Sequence, residues 1–232
     1  MRWVEETDST NTRLLEDARA GAPEGRVLVA DHQTAGRGRL GRRWEAPPAS
    51  SLLVSVLLRP TVPLARAHLV TMAAGLAASD ACDDVAGVRP GLKWPNDLVV
   101  DDAKLAGLLA ESVVDGDVLR ALVVGMGLNV TAAPAEGATA LASHATGAVD
   151  RRPLLDAWLR HLDARLDALD GVLADYRPRC ATLGREVRVE LPGGDVVTGT
   201  AVDVTDAGHL VVDAGSGRTE VAVGDVVHVR PA

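Results

Sequence analysis

An α+β fold in two parts is what this sequence predicts, and three observations predict it. Apolar residues recur at helical spacing in residues 10–20, 65–82 and 150–170. Short apolar runs bounded by Gly, Pro and Asp occupy most of the intervening chain, above all residues 92–130. After Gly184 the period changes for good, to five brief alternating runs separated by glycine turns. The chain has 232 residues, enough for one full-sized core plus a small accessory unit. We expect the division at residues 1–182 and 183–232.

Taken in order, residues 2–5 read as a strand, followed by the N-cap cluster Asp8-Ser9-Thr10-Asn11. A helix then runs to about Ala20, with Leu14, Leu15 and Ala18 on one face and Gly21 as its stop. Val27–Ala30 and Ser51–Leu58 are apolar strands, the second bounded by prolines. Residues from Ala65 to about Cys82 are Ala-rich and read as a buried helix. Strands are expected over Asp97–Val100, Leu105–Val114 and Val118–Val130, and a helix over Asp150–Asp170, with Pro153 near its first turn. The last five strands are placed at Val187–Leu191, Val196–Val204, His209–Asp213, Thr219–Val223 and Val226–Arg230. They are consistent with a small SH3-like barrel.

Composition excludes several classes. The net charge is −8, which argues against a general surface for nucleic acid or anionic membrane. No apolar run approaches the roughly 20 residues that span a bilayer. The start, MRWVEETDSTN, lacks the apolar stretch of a secretory signal, so a cytoplasmic protein is the expectation. Cys82 and Cys180 have neither disulfide-framework nor zinc spacing. One bias is unusual: of 24 basic residues only Lys93 and Lys104 are lysines.

Those two lysines belong to motifs. Gly36-Arg37-Gly38-Arg39-Leu40-Gly41-Arg42-Arg43-Trp44 packs four arginines into one glycine-rich loop of an acidic chain. It fits G-x-G-x-x-G, but Pro47-Pro48 and a strand follow where a dinucleotide-binding helix should open. It is either a phosphate-chelating loop, its guanidinium forks gripping several oxygens, or a solvated basic turn. Lys93-Trp94-Pro95-Asn96-Asp97 is a rigid bend whose Asn and Asp are either turn formers or the polar part of a Mg²⁺–nucleotide site. In Lys104-Leu105-Ala106-Gly107-Leu108-Leu109-Ala110-Glu111 a lysine opens an apolar strand, as an edge guard or as a point charge for a phosphate. Gly125-Met126-Gly127-Leu128-Asn129 closes another strand; Asn129 is strand-end punctuation or a nucleotide contact. Ser9, Thr10 and Gln33 are caps, or the lining of a site for an uncharged polar ligand.

In this order, DSTN, QTAGRGRLGRRW, KWPNDL, KLAGLLAE and GMGLN resemble the biotin–protein ligases, and the segment from Arg179 onward resembles that family's C-terminal barrel. The resemblance implies a mixed sheet with packed helices, related to class II aminoacyl-tRNA synthetases. It also implies two half-reactions: biotin and Mg·ATP give biotinyl-5′-AMP, and biotin then passes to a lysine of a biotin carboxyl carrier protein. Lys104, Arg37 and Asp97 are carried over as catalytic, with Asp97 expected to hold Mg²⁺ and Asn96 beside it as a second candidate. The biotin site is expected from Ser9, Thr10, Gln33, Gly36, Arg37, Arg39, Lys104, Gly107 and Leu109. The ATP site is expected from Arg37, Arg39, Arg42, Lys93, Asn96, Lys104 and Asn129, with Trp44 near adenine.

The resemblance further implies a ligase and not a repressor, since the first strand begins near Trp3 with no winged helix before it. A monomer or homodimer is expected. The loop 34–44 is expected to order on binding biotin or the adenylate, because water destroys an acyl-adenylate. Two rivals share the scaffold: a lipoate–protein ligase, and a non-catalytic biotin-sensing module. A lipoyl ring would leave Ser9, Thr10 and Gln33 without amide partners, and sensing alone does not require Arg37, Asp97 and Lys104 together. Two features stand apart from the family pattern: Leu108 replaces a frequent Ile, and the stretch 131–148 offers no aromatic for adenine.

Overall fold

The computed structural model describes residues 1–134, 136–215 and 217–228. Seven strands form one mixed sheet: β1 (Arg2–Thr7), β2 (Val27–Gln33), β3 (Ser51–Leu58), β4 (Gly91–Lys93), β5 (Asp97–Val100), β6 (Ala103–Asp115) and β7 (Val118–Asn129). Their spatial order is β1-β2-β3-β7-β6-β5-β4; only the β1–β2 pair is parallel. The long β6–β7 hairpin turns at Gly116, whose φ of 56° suits a residue without a Cβ.

All eight residues of β3 are buried because both sheet faces are covered there. On one face lies α2 (Ala67–Ala86), whose small residues let it approach β4 to β7 closely, with Gly75 set against Leu92 and Leu108. Each such aliphatic side chain contributes about 1.5–3 kcal/mol by leaving water. Beside α2 packs α3 (Arg151–Leu166), which also meets β3 and is pinned by Trp158 Nε1 donating to the Ala74 carbonyl at 3.1 Å. On the other face, α1 (Thr10–Arg19) sets Leu14, Leu15 and Ala18 against Leu28, Leu57 and Val123. Ser9 caps α1, and Gly21 takes the left-handed conformation just beyond its end.

The helix expected over Asp150–Asp170 stops at Leu166. The chain breaks at Ala168 into a short 3₁₀ turn and then α4 (Val172–Arg179), which the periodicity did not separate. The helix expected from Ala65 begins two residues later, after a 3₁₀ turn, and runs on to Ala86.

The remaining strands, β8 (Glu186–Glu190), β9 (Val196–Val204), β10 (Leu210–Asp213), β11 (Arg218–Val221) and β12 (Asp225–His228), form an antiparallel sheet ordered β11-β10-β9-β8-β12. Residues 229 and 230 of the expected last strand lie outside the described residues. This second sheet is bolted to the first through Trp94. Its buried indole donates to the Gly208 carbonyl at 2.9 Å, and its backbone N–H donates to Thr182 Oγ1 at 3.0 Å. The bend that leads to Asp97 is therefore held between the two sheets. Among the described residues, no helix is long and apolar enough to cross a membrane.

Candidate active site

The strand ends and the glycine-rich loop converge on a cavity of about 110 Å³. Ser9, Thr10 and Asn11 reach it from the start of α1, Gln33 from the end of β2, and Lys104, Gly107 and Leu109 from β6. Gly125 and Gly127 of β7 form its floor, and Arg37, Arg39, Arg42 and Trp44 its roof. Segments far apart in sequence meet here because β6 lies beside β7 and the loop between β2 and β3 folds over both.

The loop is a tight closed turn. Trp44 N–H donates to the Gly36 carbonyl at 3.0 Å and Gly38 N–H to the Arg42 carbonyl at 2.7 Å. A Cβ on Gly36 would lie 2.3 Å from the Trp44 carbonyl oxygen, so this glycine closes the turn. It is absent from the cavity wall and serves the loop rather than the ligand. Each arginine then grips a different element. Arg37 pairs with Glu111 at 2.9 Å, Arg39 donates to Asn96 Oδ1 at 3.0 Å, and Arg42 forks onto Asp225 of β12 at 2.7 and 3.0 Å.

Trp44 lies across the glycines of two strands. A Cβ on Gly127 would stand 2.3 Å from its Cε2, and one on Gly107 3.1 Å from its Cζ3. The indole also carries Lys104 Nζ 5.6 Å above its centroid, a cation–π geometry, and its own N–H is buried without an acceptor among the described residues. It separates the 110 Å³ cavity from a neighbour of about 300 Å³, lined by Glu45, Lys104, Asn129, Pro134 and Ala138.

Lys104 Nζ stands 2.8 Å from Asp97 Oδ2, whereas Asp97 Oδ1 is buried with no hydrogen-bond donor among the described residues. That orphaned oxygen fits a divalent cation, which Mg²⁺ sites commonly hold with one or two carboxylates plus phosphate and water. Asn96 fits less well: its Nδ2 donates to the Leu108 carbonyl at 2.7 Å and its Oδ1 is taken by Arg39. Among the described residues there is no cluster of three His, Cys, Asp or Glu side chains suited to a metal.

The neutral side of the cavity is equally ordered. Gln33 Oε1 accepts from the Thr10 backbone at 2.7 Å and lies 3.0 Å from its hydroxyl, while Ser9 Oγ caps Thr12 N at 3.4 Å. Burial lowers the Arg39 pKa although Asp225 and Asp97 oppose it, and burial lowers that of Lys93 as well. Both cations therefore sit where a polyanion would relieve an electrostatic cost.

One expected contact falls elsewhere, and two others have additional partners. Lys93 lies at the end of β4, opposite Asp97 in register, and lines neither cavity. Asn129 lines the neighbouring 300 Å³ cavity while being 1% exposed; its amide donates to the Thr139 carbonyl at 3.1 Å and its oxygen faces Ser51 Oγ at 3.4 Å, so it also fastens the next segment. Leu109 does line the 110 Å³ cavity, and its carbonyl accepts from Asn11 Nδ2 at 3.1 Å. Conversely, Asn11 lines the cavity although the DSTN motif that holds it gave it no role, and Ser55 and Glu111 stand behind it without lining it.

Comparison with known proteins sets the class first. The model of the biotin/lipoate A/B protein ligase family matches residues 3–129, and that of the biotin protein ligase C-terminal domain matches residues 182–229. A biotin–[acetyl-CoA-carboxylase] ligase of Mycobacterium tuberculosis is 44% identical over 98% of this chain and 88% of its own length. The bifunctional ligase/repressor BirA of Bacillus subtilis is 29% identical over 94% of this chain and 70% of its own. The biotin protein ligase from Aquifex aeolicus, solved in complex with biotin and ATP, superposes with a TM-score of 0.82 at 30% identity, covering 99% of this chain and 98% of that one. The chain belongs to the biotin protein ligases, the biotin-handling members of the biotin/lipoate A/B protein ligase family.

Proposed function

We propose that this enzyme joins biotin to a lysine of a carboxyl carrier protein in two ATP-dependent steps. One observation carries the proposal. A single cavity is lined both by neutral donors and acceptors (Ser9, Thr10, Gln33) and by the cations Arg37, Arg39 and Lys104. The first set suits an uncharged cyclic urea, the second a carboxylate meeting a phosphate.

In the first step a biotin carboxylate oxygen attacks the α-phosphorus of ATP, and the bond to the bridging oxygen breaks to release pyrophosphate. Two anions must approach, so fixed positive charge and alignment supply most of the rate. Lys104 is placed to bridge carboxylate and α-phosphate, exchanging its contact with Asp97 for them. Arg37 and Arg39 hold the phosphates from the loop, and Arg42 and Lys93 add positive field at the seam with the second sheet. Asp97 Oδ1 would hold Mg²⁺, which supplies charge neutralisation to the phosphates when bound. Trp44, which lines both cavities, is placed to pack near the adenine. In the second step the carrier's lysine amine attacks the acyl carbonyl, loses a proton, and AMP leaves.

We further propose that residues 1–182 form the catalytic unit and residues 183–232 a smaller unit that braces it, in the cytoplasm. The test is direct: incubate the chain with biotin, Mg·ATP and a carrier domain, and detect transferred biotin with labelled avidin. Transfer is expected, and it should vanish with Lys104→Ala or with the carrier lysine replaced. Transfer of lipoate but not biotin overturns the proposal.

A further inference from the structure

Glu111 sits on β6 with its side chain 22% exposed, outside the residues given a role above. Its carboxylate meets the Arg37 guanidinium fork to fork, Nη2 to Oε1 at 2.9 Å and Nη1 to Oε2 at 3.0 Å. Oε2 also accepts from Asn11 Nδ2 at 3.0 Å, and the other Asn11 amide hydrogen goes to the Leu109 carbonyl at 3.1 Å. Asn11 is thus fixed with its Oδ1 turned toward Ser55.

A polar chain continues from there. Ser55 Oγ is 2.6 Å from Asn11 Oδ1 and 2.7 Å from Thr10 Oγ1, which is 3.0 Å from Gln33 Oε1. Gln33 Oε1 also takes the Thr10 backbone N–H, which defines it as an acceptor. Three oxygen–oxygen contacts must therefore share two hydroxyl protons. Asn11 Oδ1 can only accept, so the shortest contact takes the Ser55 proton. The Thr10 proton serves one of the other two, and one contact is left a proton short. An N–H donor entering the cavity at Thr10 and Gln33 supplies what is missing. Gly125 makes room for this arrangement, since a Cβ there would lie 2.1 Å from Asn11 Oδ1.

The chain begins at Gln33 and returns through Glu111 and Arg37 to the same stretch of loop. We infer that Glu111 is a positioning residue that couples binding of the ligand's urea N–H groups to closure of the glycine-rich loop. Its charge orients Asn11, which sets the proton direction through Ser55, and the same charge holds Arg37 down over the cavity. This rests on the biotin-ligase reading above.

The test follows the lifetime of biotinyl-5′-AMP on preloaded full-length enzyme, together with biotin kinetics. Glu111→Gln should shorten that lifetime roughly tenfold and raise the KM for biotin by a similar factor, with kcat for adenylate formation within about threefold. Ser55→Ala should raise KM too. The double variant should be no worse than the worse single one, because both break one chain. An unchanged adenylate lifetime in Glu111→Gln, or strictly additive effects, overturns the inference. Glu111→Asp, which keeps the charge but shortens the reach, carries the test if Glu111→Gln does not fold; an unchanged lifetime in it is equally fatal. Failure of the unaltered enzyme to form any adenylate from biotin and ATP counts against the functional reading instead, and is seen separately by pyrophosphate release.

Discussion

Asp97 and Lys104 meet across the β5–β6 ladder, Oδ2 to Nζ at 2.8 Å, and the contact leaves Asp97 Oδ1 buried without a donor among the described residues. The pair is a carboxylate and an ammonium each holding the other until substrates arrive. Lys104→Ala should lower the rate of pyrophosphate release with biotin and ATP by about 10²–10³-fold, the scale of losing one oriented electrostatic donor. Asp97→Asn keeps the shape and removes the charge. It should abolish the response of that rate to added Mg²⁺ while transfer from supplied biotinyl-5′-AMP persists. Full Mg²⁺ dependence in Asp97→Asn would remove this carboxylate from the metal site.

Gly127→Ala should displace Trp44. The new methyl would contact three atoms of the indole, at 2.3, 2.6 and 2.8 Å, so the ring must leave the floor of the site. The expected result is a KM for biotin raised roughly tenfold or more by misplacement of the ligand, with little change in melting temperature. Tryptophan fluorescence should shift in step with exposure of the ring. A native KM would mean that the ring's place over Gly127 is irrelevant to binding.

The four arginines of residues 37–43 give trypsin sites on the loop. Cleavage should slow when biotin and ATP are added together, since ligands then share the contacts that hold the loop down. Asp225→Ala frees Arg42 from the second sheet and should speed cleavage in the absence of ligands. Equal sensitivity with and without both substrates would rule out a ligand-gated loop.

His228 is buried between the sheets, 3.2 Å from Thr182 Oγ1 and 3.6 Å from Asp102. Burial, followed by the field of Lys93, pushes its pKa below the ordinary 6.5, against the pull of Asp102. An unfolded chain therefore takes up a proton at this residue before the folded one does. Its contribution to stability is complete above pH 6.5 and declines as the pH falls from there toward the folded value. Urea unfolding should show a smaller loss between about pH 7.5 and about pH 5.5 in His228→Gln than in the native chain.

Much of this architecture is legible in residue order. The β3 bounds follow from the flanking prolines, α1 from its caps, and β5 and β9 from their turns. The missing pieces share a cause: they depend on neighbours distant in sequence. Leu166 and Leu169 keep a helical period, yet the backbone breaks at Ala168 and leaves α4 as a separate piece. Asn11, Ser55 and Glu111 come from a helix and two strands, and nothing local marks them as one chain of hydrogen bonds. Asn129 shows the converse. Its motif is conspicuous and it lines the neighbouring cavity, but nothing local shows that its amide is also engaged by Thr139 and Ser51.

The scarcity of lysine has a chemical consequence. An acyl-adenylate that escapes reacts with whatever primary amine it meets, and most protein exteriors are studded with them. This chain carries its cations as 22 arginines, whose guanidinium groups are poor acyl acceptors, and keeps both lysines in the strands that frame the reaction. Its outer surface is nearly inert to its own product. Incubated alone with biotin and Mg·ATP, the enzyme should therefore leave little label on itself, as a labelled-avidin blot would show.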